Sequence, residues 1–360
     1  MKKVLVTGSM GYLGSRLAGY LRERDYDVLG FDTGFFEDGV LFPVSDPPTV
    51  KGDMRDFDPA LLKGVTAVVH LAAMSNDPFG NLDVSRIYDP TRVYARNMAR
   101  LCKERGIKFI FPSSCSIYGA GMGDRLLDES GPFSPQTPYS SNKMQVEEDV
   151  SALADPNFRP ILLRLATVYG ISPRLRFDLV INMLAGMAFL DRKIILNSDG
   201  KAWRPNVHID DVCEAFVRAI EHEPSAGKGP IIVNVGDTSQ NFQIIDLART
   251  VQAQFDGCEI VFLKNLSAES KKDVELIRDR KVQDGVDTRT YKVSFEKIKE
   301  TFPGFRCRYT VASGAKQLAE HFAALPLRSE QFKSYRYYRL QKIEHLHKTG
   351  IITDDLRFRS

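Results

Sequence analysis

A tyrosine and a lysine in the stretch SPQTPYSSNKMQVEEDV have the spacing of a proton-transfer pair. Pro138 favours the first turn of a helix, and residues four apart lie on the same helix face, so Tyr139 and Lys143 should project together. The lysine charge favours the phenolate, which can accept a proton from a substrate hydroxyl as hydride leaves the same carbon. The pair predicts an alcohol-oxidising centre; the alternative is an ordinary exposed helix face.

A glycine-rich turn near the N-terminus predicts where the hydride goes. VLVTGSMGYLG follows an apolar β-branched run and opens a helix, whose N-terminal N–H groups can hold a pyrophosphate. The next run ends at Asp32, a carboxylate that can accept from an adenosine ribose and would repel a 2′-phosphate. We therefore expect NAD rather than NADP as the cofactor. The loop residues expected at NAD are Gly8, Gly11, Tyr12, Leu13 and Gly14.

These features need a parallel sheet to position them. Short apolar runs alternate with amphipathic stretches near 11–24 and 92–105, which predicts an α/β fold with a doubly wound parallel sheet. The predicted strands are 4–6, 27–32, 67–73, 108–114 and 160–170. We expect a dinucleotide-binding domain over 1–170 with 209–236 returning to it, an interleaved substrate lobe over 171–208 and 237–325, and a helical extension over 326–360.

The extension carries a periodic apolar pattern. Phe332, Tyr335, Ile343 and Leu346 recur at roughly helical spacing, and Gly350 suits a helix C-terminus. The pattern predicts an amphipathic helix packed on the body of the protein, with a partner-binding helix as the alternative.

Charge and cysteine content exclude several classes of function. The 49 basic and 46 acidic residues leave a net charge of +3, and no block of like charge predicts binding to nucleic acid or to a membrane surface. The five cysteines show no CxxC or His-rich spacing, so we predict neither a disulfide framework nor a metal site. Free cysteines fit a protein located in a reducing cytoplasm. Thr7 and Gly8 interrupt the first apolar run, and no run reaches about 18 residues, so neither a signal peptide nor a membrane span is expected.

Eight motifs resemble, in order and spacing, the extended short-chain dehydrogenase/reductase family, in its nucleotide-sugar epimerase and dehydratase branch. They are TGSMGYLG, Asp32, GDMRD, VVHLAA, PSSCSIYG, PYSSNK, LRLATVYG and WRPNVHIDDV, and the resemblance spans roughly residues 1–325. It implies a Rossmann sheet with NAD at its carboxyl edge, a smaller lobe that holds a nucleoside-diphosphate sugar, and a homodimer formed through the helices at 92–105 and 138–153.

The resemblance also implies roles for individual residues. Tyr139 would be the base, Lys143 would bind the nicotinamide ribose, and Ser114 would contact the reacting hydroxyl, with Ser113 supporting the cofactor. Further residues implied at the cofactor are Asp53 and Met54 at the adenine, and Leu71, Ala72 and Ala73 along the dinucleotide.

The two positions after Ser114 separate branches of the family. In 4,6-dehydratases they resemble an Asp-Glu pair that expels water, whereas here they are Cys115 and Ser116. The catalytic cysteine of 3,5-epimerases falls where this chain has Ser116, and one step along a strand points to the opposite face. Cys115 is therefore either a small buried filler or a substrate-contacting acid or base; both remain open here.

Several polar residues are candidates for the sugar nucleotide. Arg204 resembles the family arginine that grips the diphosphate, and guanidinium suits that group because its donors are paired in a plane. The other candidates are Ser75, Asn76, Ser114, Cys115, Ser116, Tyr139, Arg174, Arg176, Asn182 and Arg289. For the arginines the alternative is a solvated surface, and for Ser75 and Asn76 it is capping of a turn.

The predicted activity is a nucleotide-sugar epimerase that works through a transient keto-sugar, oxidised at C4. A dehydrogenase or reductase that releases or takes up the ketone is the alternative. A 4,6-dehydratase is disfavoured because the Asp-Glu pair is missing, and a non-catalytic NAD-binding protein because Tyr139 and Lys143 are both present.

Overall fold

The computed structural model describes residues 1–75, 84–120, 125–223, 227–266 and 289–359, and for Val84 the backbone alone. Within these ranges the chain forms a large parallel sheet with helices on both faces, and a smaller lobe at the carboxyl ends of the strands. This confirms the predicted fold class.

The large sheet has seven strands in the order β3-β2-β1-β4-β5-β7-β11, and every pairing is parallel. Its strands are β1 Lys3–Thr7, β2 Asp27–Asp32, β3 Thr49–Lys51, β4 Val65–His70, β5 Lys108–Ser114, β7 Ile161–Leu165 and β11 Ile231–Val235. The strand order reverses between β1 and β4, so the connections there leave the sheet on opposite faces. A crevice opens at the carboxyl ends of these two strands, where ligands of such sheets bind.

The remaining strands form three small sheets, β12-β10-β8, β13-β9 and β14-β6. They are β6 Leu126–Leu127, β8 Thr167–Tyr169, β9 Lys193–Leu196, β10 Trp203–His208, β12 Asn241–Gln243, β13 Glu259–Phe262 and β14 Lys292–Val293. The helices are α1 Tyr12–Arg22, α2 Val84–Arg105, α3 Pro138–Ser151, α4 Val180–Asp191, α5 Ile209–Glu221, α6 Ile244–Gln252, α7 Lys297–Thr301, α8 Val311–Ala324, α9 Ser329–Phe332 and α10 Arg339–Lys348.

Alternate residues of the strands enter separate cores on the two faces of the large sheet. Val4 and Val6 of β1 pack in one apolar cluster with α1 and α5, whereas Leu5 packs in another with α2 and α3. Both faces are apolar because both are covered, which is typical of parallel sheets. A third cluster joins α4, α6 and α8 in the smaller lobe.

One predicted strand is wrong in extent. The continuous run 160–170 divides at Ala166, whose N–H donates to the carbonyl of Val235 at 3.0 Å. Residues before it form β7 in the large sheet, and residues after it form β8, which pairs with β10 instead. Both halves are apolar and β-branched, so the sequence does not indicate that the chain leaves the large sheet and enters a small one at this point.

The predicted single helix of the C-terminal extension is also wrong. The chain forms α9, a 3₁₀ turn over Tyr335–Tyr337 and α10, and ends α10 near Gly350 at a φ of 70°. Phe332 joins the cluster of the smaller lobe, while Ile343 and Leu346 join a different cluster with Phe35. The two halves therefore bury their apolar residues in different places, and a straight helix could not do so.

Candidate active site

A cavity of about 1090 Å³ runs along the carboxyl ends of the strands, between the large sheet and the smaller lobe. This volume exceeds the upper end of the range usual for a drug-sized ligand, roughly 1000 Å³, so two large ligands can be held together. Residues from the glycine-rich loop, α3, the smaller lobe and the C-terminal extension all line it.

The glycine-rich loop packs against the chain that leaves β4, at the point where the strand order reverses. Gly8 has a φ of 72°, and a Cβ there would lie 2.8 Å from the backbone nitrogen of Ala72. A Cβ on Gly14 would lie 2.0 Å from the carbonyl oxygen of Gly8, so the turn can close only on glycine. Helix α1 begins after Gly11 without a side-chain cap. Its first N–H groups therefore remain donors for a pyrophosphate.

Asp32 stands at the carboxyl end of β2, where its carboxylate connects the glycine-rich loop with the segment that follows the strand. Its carboxylate accepts from the N–H of Met10 at 2.9 Å and from the N–H of Gly34 at 2.7 Å. Burial raises the pKa of this carboxyl, which the two backbone donors partly counteract. Asp32 lines the cavity. It is thus positioned to receive ribose hydroxyls.

The other cofactor residues predicted from the sequence lie along the same crevice. Asp53 accepts from the N–H of Arg55 at 2.8 Å and begins a 3₁₀ turn that buries Met54. The predicted residues that line the cavity are Gly8, Gly11, Tyr12, Leu13, Gly14, Asp32, Asp53, Met54, Leu71, Ala72, Ala73, Ser113, Tyr139 and Lys143.

Tyr139 and Lys143 lie in the first turns of α3 and both line the cavity. The helix begins with a capping box, in which the Thr137 hydroxyl accepts from the N–H of Ser140 at 3.2 Å. The Lys143 ammonium lies 5.7 Å from the centre of the Tyr139 ring and donates to the carbonyl of Pro112 at 2.7 Å. Burial lowers the pKa of Lys143 to about 7. This lysine can therefore gain or lose a proton near neutrality.

The stretch 113–116 presents three serines to the cavity. Ser114 ends β5 and accepts from the N–H of Ser116 at 3.1 Å. The hydroxyls of Ser113 and Ser116 are buried and make no hydrogen bond. All three residues line the cavity, so their hydroxyls are available to a ligand.

Cys115 does not face the cavity. Strand β5 ends at Ser114, and residues 115–118 form a 3₁₀ turn, so the alternation of a strand does not apply to Cys115. Its thiol is buried in the core and donates to the carbonyl of Arg164 at 3.3 Å. Burial raises the pKa of the thiol well above its usual value. The structure thus places Cys115 as a core residue and corrects its inclusion among the substrate candidates.

Besides Ser114, Ser116 and Tyr139, four of the predicted substrate residues line the cavity: Ser75, Arg176, Arg204 and Arg289. Arg176 pairs with Asp178 at 2.8 Å and donates to the Ser75 hydroxyl at 3.0 Å. Arg204 donates to the carbonyl of Trp203 at 2.7 Å and to that of Arg289. Asn76 lies outside the described residues.

Arg174 and Asn182 are turned away from the cavity, which corrects their prediction as substrate contacts. Arg174 makes two hydrogen bonds with Asp46, at 2.7 and 2.8 Å. Asn182 accepts from the N–H of Gly170 at 2.9 Å and donates to the carbonyl of Arg176 at 3.0 Å. Both residues are buried and hold loops in place. The sequence shows that both residues are polar, but it does not show which parts of the protein are their hydrogen-bond partners.

Sequence reasoning missed cavity residues that come from distant segments: Asp178, Tyr338, Arg339, Asp355 and Leu356. Asp178 could have been suspected from RLRFD, in which an acid follows two arginines. Arg339 and Leu356 carry no such signal, because only the fold of the extension brings them to the cavity.

Within the described residues, no group of three or more His, Cys, Asp or Glu side chains could hold a metal ion. In the same part of the chain, no helix has the length and apolar character needed to cross a membrane.

Comparisons with known proteins agree with this geometry. Residues 4–236 match the NAD dependent epimerase/dehydratase family. Mouse dTDP-D-glucose 4,6-dehydratase is 26% identical over 337 residues, which cover 89% of this chain and 88% of the mouse protein. A Bacillus subtilis protein described as an uncharacterized UDP-glucose epimerase is 26% identical over 268 residues, 70% of this chain and 83% of its own length.

The fold also matches solved structures. UDP-glucuronic acid 4-epimerase from Bacillus cereus, in complex with UDP-glucuronic acid and NAD, superposes with a TM-score of 0.69 at 22% identity. The match covers 90% of this chain and 99% of that one. The chain therefore belongs to the NAD-dependent epimerase/dehydratase family, a group of nucleotide-sugar enzymes within the extended short-chain dehydrogenases/reductases, and NAD is its cofactor. This confirms the family and the cofactor predicted from the sequence.

Proposed function

We propose that this protein is an NAD-dependent nucleotide-sugar epimerase that oxidises a sugar hydroxyl, at C4, and returns the hydride to the opposite face of the same carbon. The observation that carries the proposal is the meeting of Tyr139, Lys143 and Ser114 at one wall of a cavity that also contains the glycine-rich loop. The substrate class is a nucleoside-diphosphate sugar, as in the names of the relatives and neighbours.

The protein residues supply the proton path and the orientation. Ser114 would hold the reacting hydroxyl, and the Tyr139 oxygen would take its proton as NAD accepts the hydride from the carbon. Lys143, with its pKa near 7, would bind the nicotinamide ribose and favour the phenolate when charged. In the return step the tyrosine gives its proton back to the sugar oxygen, so no net oxidation occurs.

Arginines of the smaller lobe would hold the diphosphate. Arg204 and Arg289 line the cavity from segments that meet where the Arg204 guanidinium donates to the Arg289 carbonyl, and Arg176 lines it from the loop before α4. Arg176 pairs with Asp178, and Arg204 donates to the carbonyl of Trp203, with its guanidinium carbon 5.5 Å from the centre of the Tyr291 ring. Both guanidinium groups have the paired planar donors that suit a diphosphate.

The positions after Ser114 argue against dehydration. Elimination of water needs an acid and a base beside the sugar, but Cys115 lies in the core and Ser116 presents a hydroxyl. Neither can replace a carboxylate at neutral pH. The dehydrogenase or reductase alternative uses the same triad and differs only in whether the ketone leaves, so it is decided by the products.

The test is to incubate the purified protein with GDP-, UDP-, dTDP- and CDP-sugars, follow reduced cofactor by absorbance and identify products by NMR. An epimer without net NADH is the expected result. Stoichiometric NADH with a released ketone would replace the proposal with a dehydrogenase, and a 4-keto-6-deoxy sugar with a dehydratase. A Tyr139→Phe variant should lose activity by roughly 100-fold or more; full activity would overturn the proposed mechanism.

We also propose a homodimer formed through α2 and α3. The two helices are held side by side by Arg92 and Asp149, which pair at 2.7 Å, and Val93 on α2 is 45% exposed. Sedimentation velocity should give twice the chain mass at micromolar concentration, and Val93→Glu should shift the protein towards monomer. A monomeric wild type would refute this proposal.

A cytoplasmic location is supported by the five cysteines, all described and all free.

A further inference from the structure

The end of the C-terminal extension lies over the part of the cavity predicted to hold the adenine. Asp355 and Leu356 line the cavity beside Asp53 and Met54. Arg55 donates to the carbonyl of Asp355 at 2.7 Å and to that of Leu356 at 3.3 Å. The tail is therefore tied to the turn that begins at Asp53, and it covers the surface on which the adenosine would rest.

Several contacts hold the extension there. Arg357 pairs with Asp56, and the rings of Phe358 and Phe35 lie 5.1 Å apart. Lys342 of α10 pairs with Asp38 at 2.7 Å. Ile352 and Leu356 are buried in one cluster with Phe35, three residues beyond Asp32. The extension and the segment after β2 thus form one packed wall of the cavity.

Arg339, the first residue of α10, brings a charge into this wall. Its side chain is buried, its guanidinium carbon lies 3.9 Å from the centre of the Phe36 ring, and it lines the cavity. Its Nη2 makes no hydrogen bond. The nearby Asp178 carboxylate is paired with Arg176 and accepts from the backbone N–H of Arg339 at 3.1 Å. Burial and the neighbouring Arg176 lower the pKa of Arg339 to about 9.

A buried guanidinium that lines a cavity and keeps an unused donor is suited to an anionic ligand. Arg339 and Asp32 are close enough for their charges to interact, and Asp32 accepts from the N–H of Met10 in the glycine-rich loop. The glycine-rich loop and the N-terminus of α1 are suited to the pyrophosphate of a dinucleotide, so this group would be the anion within reach of Arg339.

We propose that the C-terminal extension completes the NAD site, with Arg339 binding the cofactor pyrophosphate and residues 350–359 covering the adenosine. The proposal rests on the NAD binding of the family and not on the proposed sugar reaction. It predicts that NAD leaves only after the tail opens, so that the cofactor exchanges slowly. Slow exchange suits an enzyme that returns the hydride to its own substrate.

The first test measures the affinity of NAD-free full-length protein for a series of ligands by calorimetry: NAD, ADP-ribose, ADP and adenosine. Arg339→Gln should weaken binding of the three phosphate-containing ligands by about 10-fold or more, the usual value of a buried charge-assisted hydrogen bond, and leave adenosine unchanged. Arg336→Gln is the matched control, because Arg336 lies in the same extension with its side chain 52% exposed.

Three results would overturn the role of Arg339. They are unchanged affinity for NAD, an equal loss for adenosine, which would indicate a purely structural role, and an equal loss in the Arg336→Gln control. If Arg339→Gln does not fold, as judged by circular dichroism, Arg339→Lys serves instead. It keeps the charge without the planar fork and should give a smaller loss with the same dependence on phosphate.

The second test asks whether residues 350–359 cover the adenosine of bound NAD. Arg357→Gln combined with Phe358→Ala removes two partly exposed anchors without touching Arg339. In stopped-flow experiments this variant should release NADH about 10-fold faster than wild type, which corresponds to about 1.4 kcal/mol for the two anchors together. An unchanged release rate would refute the covering role. No sugar is present in either test, so failure of the proposed sugar reaction would not affect the outcome.

Discussion

Lys143, which we propose acts in catalysis, is expected to lower the stability of the protein. Its ammonium is buried in the wall of the cavity, with the Pro112 carbonyl as acceptor at 2.7 Å, and burial lowers its pKa from 10.5 to about 7. The native state therefore binds this proton less tightly than the unfolded chain does. Lys143→Met keeps the length of the side chain and removes the charge, so it should abolish turnover and stabilise the fold.

The size of the effect follows from the two pKa values. Between pH 7 and 10.5 the unfolded chain is protonated and the native state is not, so the penalty is about 1.4 kcal/mol for each pH unit below 10.5. It is fully present below pH 7, about 3 kcal/mol at pH 8, and about 1 kcal/mol at pH 10. Loss of the hydrogen bond to Pro112 costs about 1 kcal/mol at every pH. We expect Lys143→Met to be about 2 kcal/mol more stable at pH 8 and roughly equal to wild type at pH 10.

The assay is urea unfolding of NAD-free protein followed by circular dichroism at pH 7, 8, 9 and 10. Lys316→Met is the control, because Lys316 is exposed on α8 and should change stability by less than about 0.5 kcal/mol without a pH trend. If Lys143→Met is destabilised at pH 8, or if its advantage is constant from pH 7 to 10, the burial argument is refuted.

Three further substitutions test the placement of individual residues. Cys115→Ala should keep full turnover and lose about 1 kcal/mol of unfolding free energy, since the thiol packs in the core; loss of turnover in a folded variant would return Cys115 to the site. Arg174→Gln should lower the free energy of unfolding by about 2 kcal/mol through the unpaired Asp46, with an unchanged KM for the sugar nucleotide; a raised KM would contradict its structural role. Arg204→Gln should raise that KM about 10-fold with little change in stability, and an unchanged KM would remove Arg204 from the phosphate site.

All the residues predicted for the dinucleotide line one cavity, because local chemistry and chain order suffice to bring them together. A glycine-rich turn after β1 and an acid at the end of β2 reach the same crevice in any doubly wound sheet. Tyr139 and Lys143 share a face because they are four residues apart in a helix that Thr137 and Pro138 begin. Strands β2 and β5 have the predicted bounds, since each is a continuous apolar run ended by polar residues.

Some predicted substrate residues do not line the cavity, because a polar side chain can instead form hydrogen bonds within the protein scaffold. Arg174 and Arg204 look alike in the sequence, but Asp46 pairs with the first, and the second lines the cavity. The opposite directions of Cys115 and Ser116 were predicted from strand alternation, but β5 ends at Ser114 and both residues lie in a 3₁₀ turn. In each case the position of the side chain depends on a contact with a residue that is distant in the chain.

The sequence by itself determined the family and the cofactor, and it predicted that Tyr139 and Lys143 share one helix face, because these depend on short motifs whose geometry is local. Only the tertiary structure decided that Cys115, Arg174 and Asn182 do not line the cavity, and that the C-terminal extension does. Arg339 lies more than 300 residues from Asp32 in the chain, yet the two line one cavity. No periodicity or motif encodes that approach, which results from the packing of Ile343, Leu346 and Leu356 with Phe35.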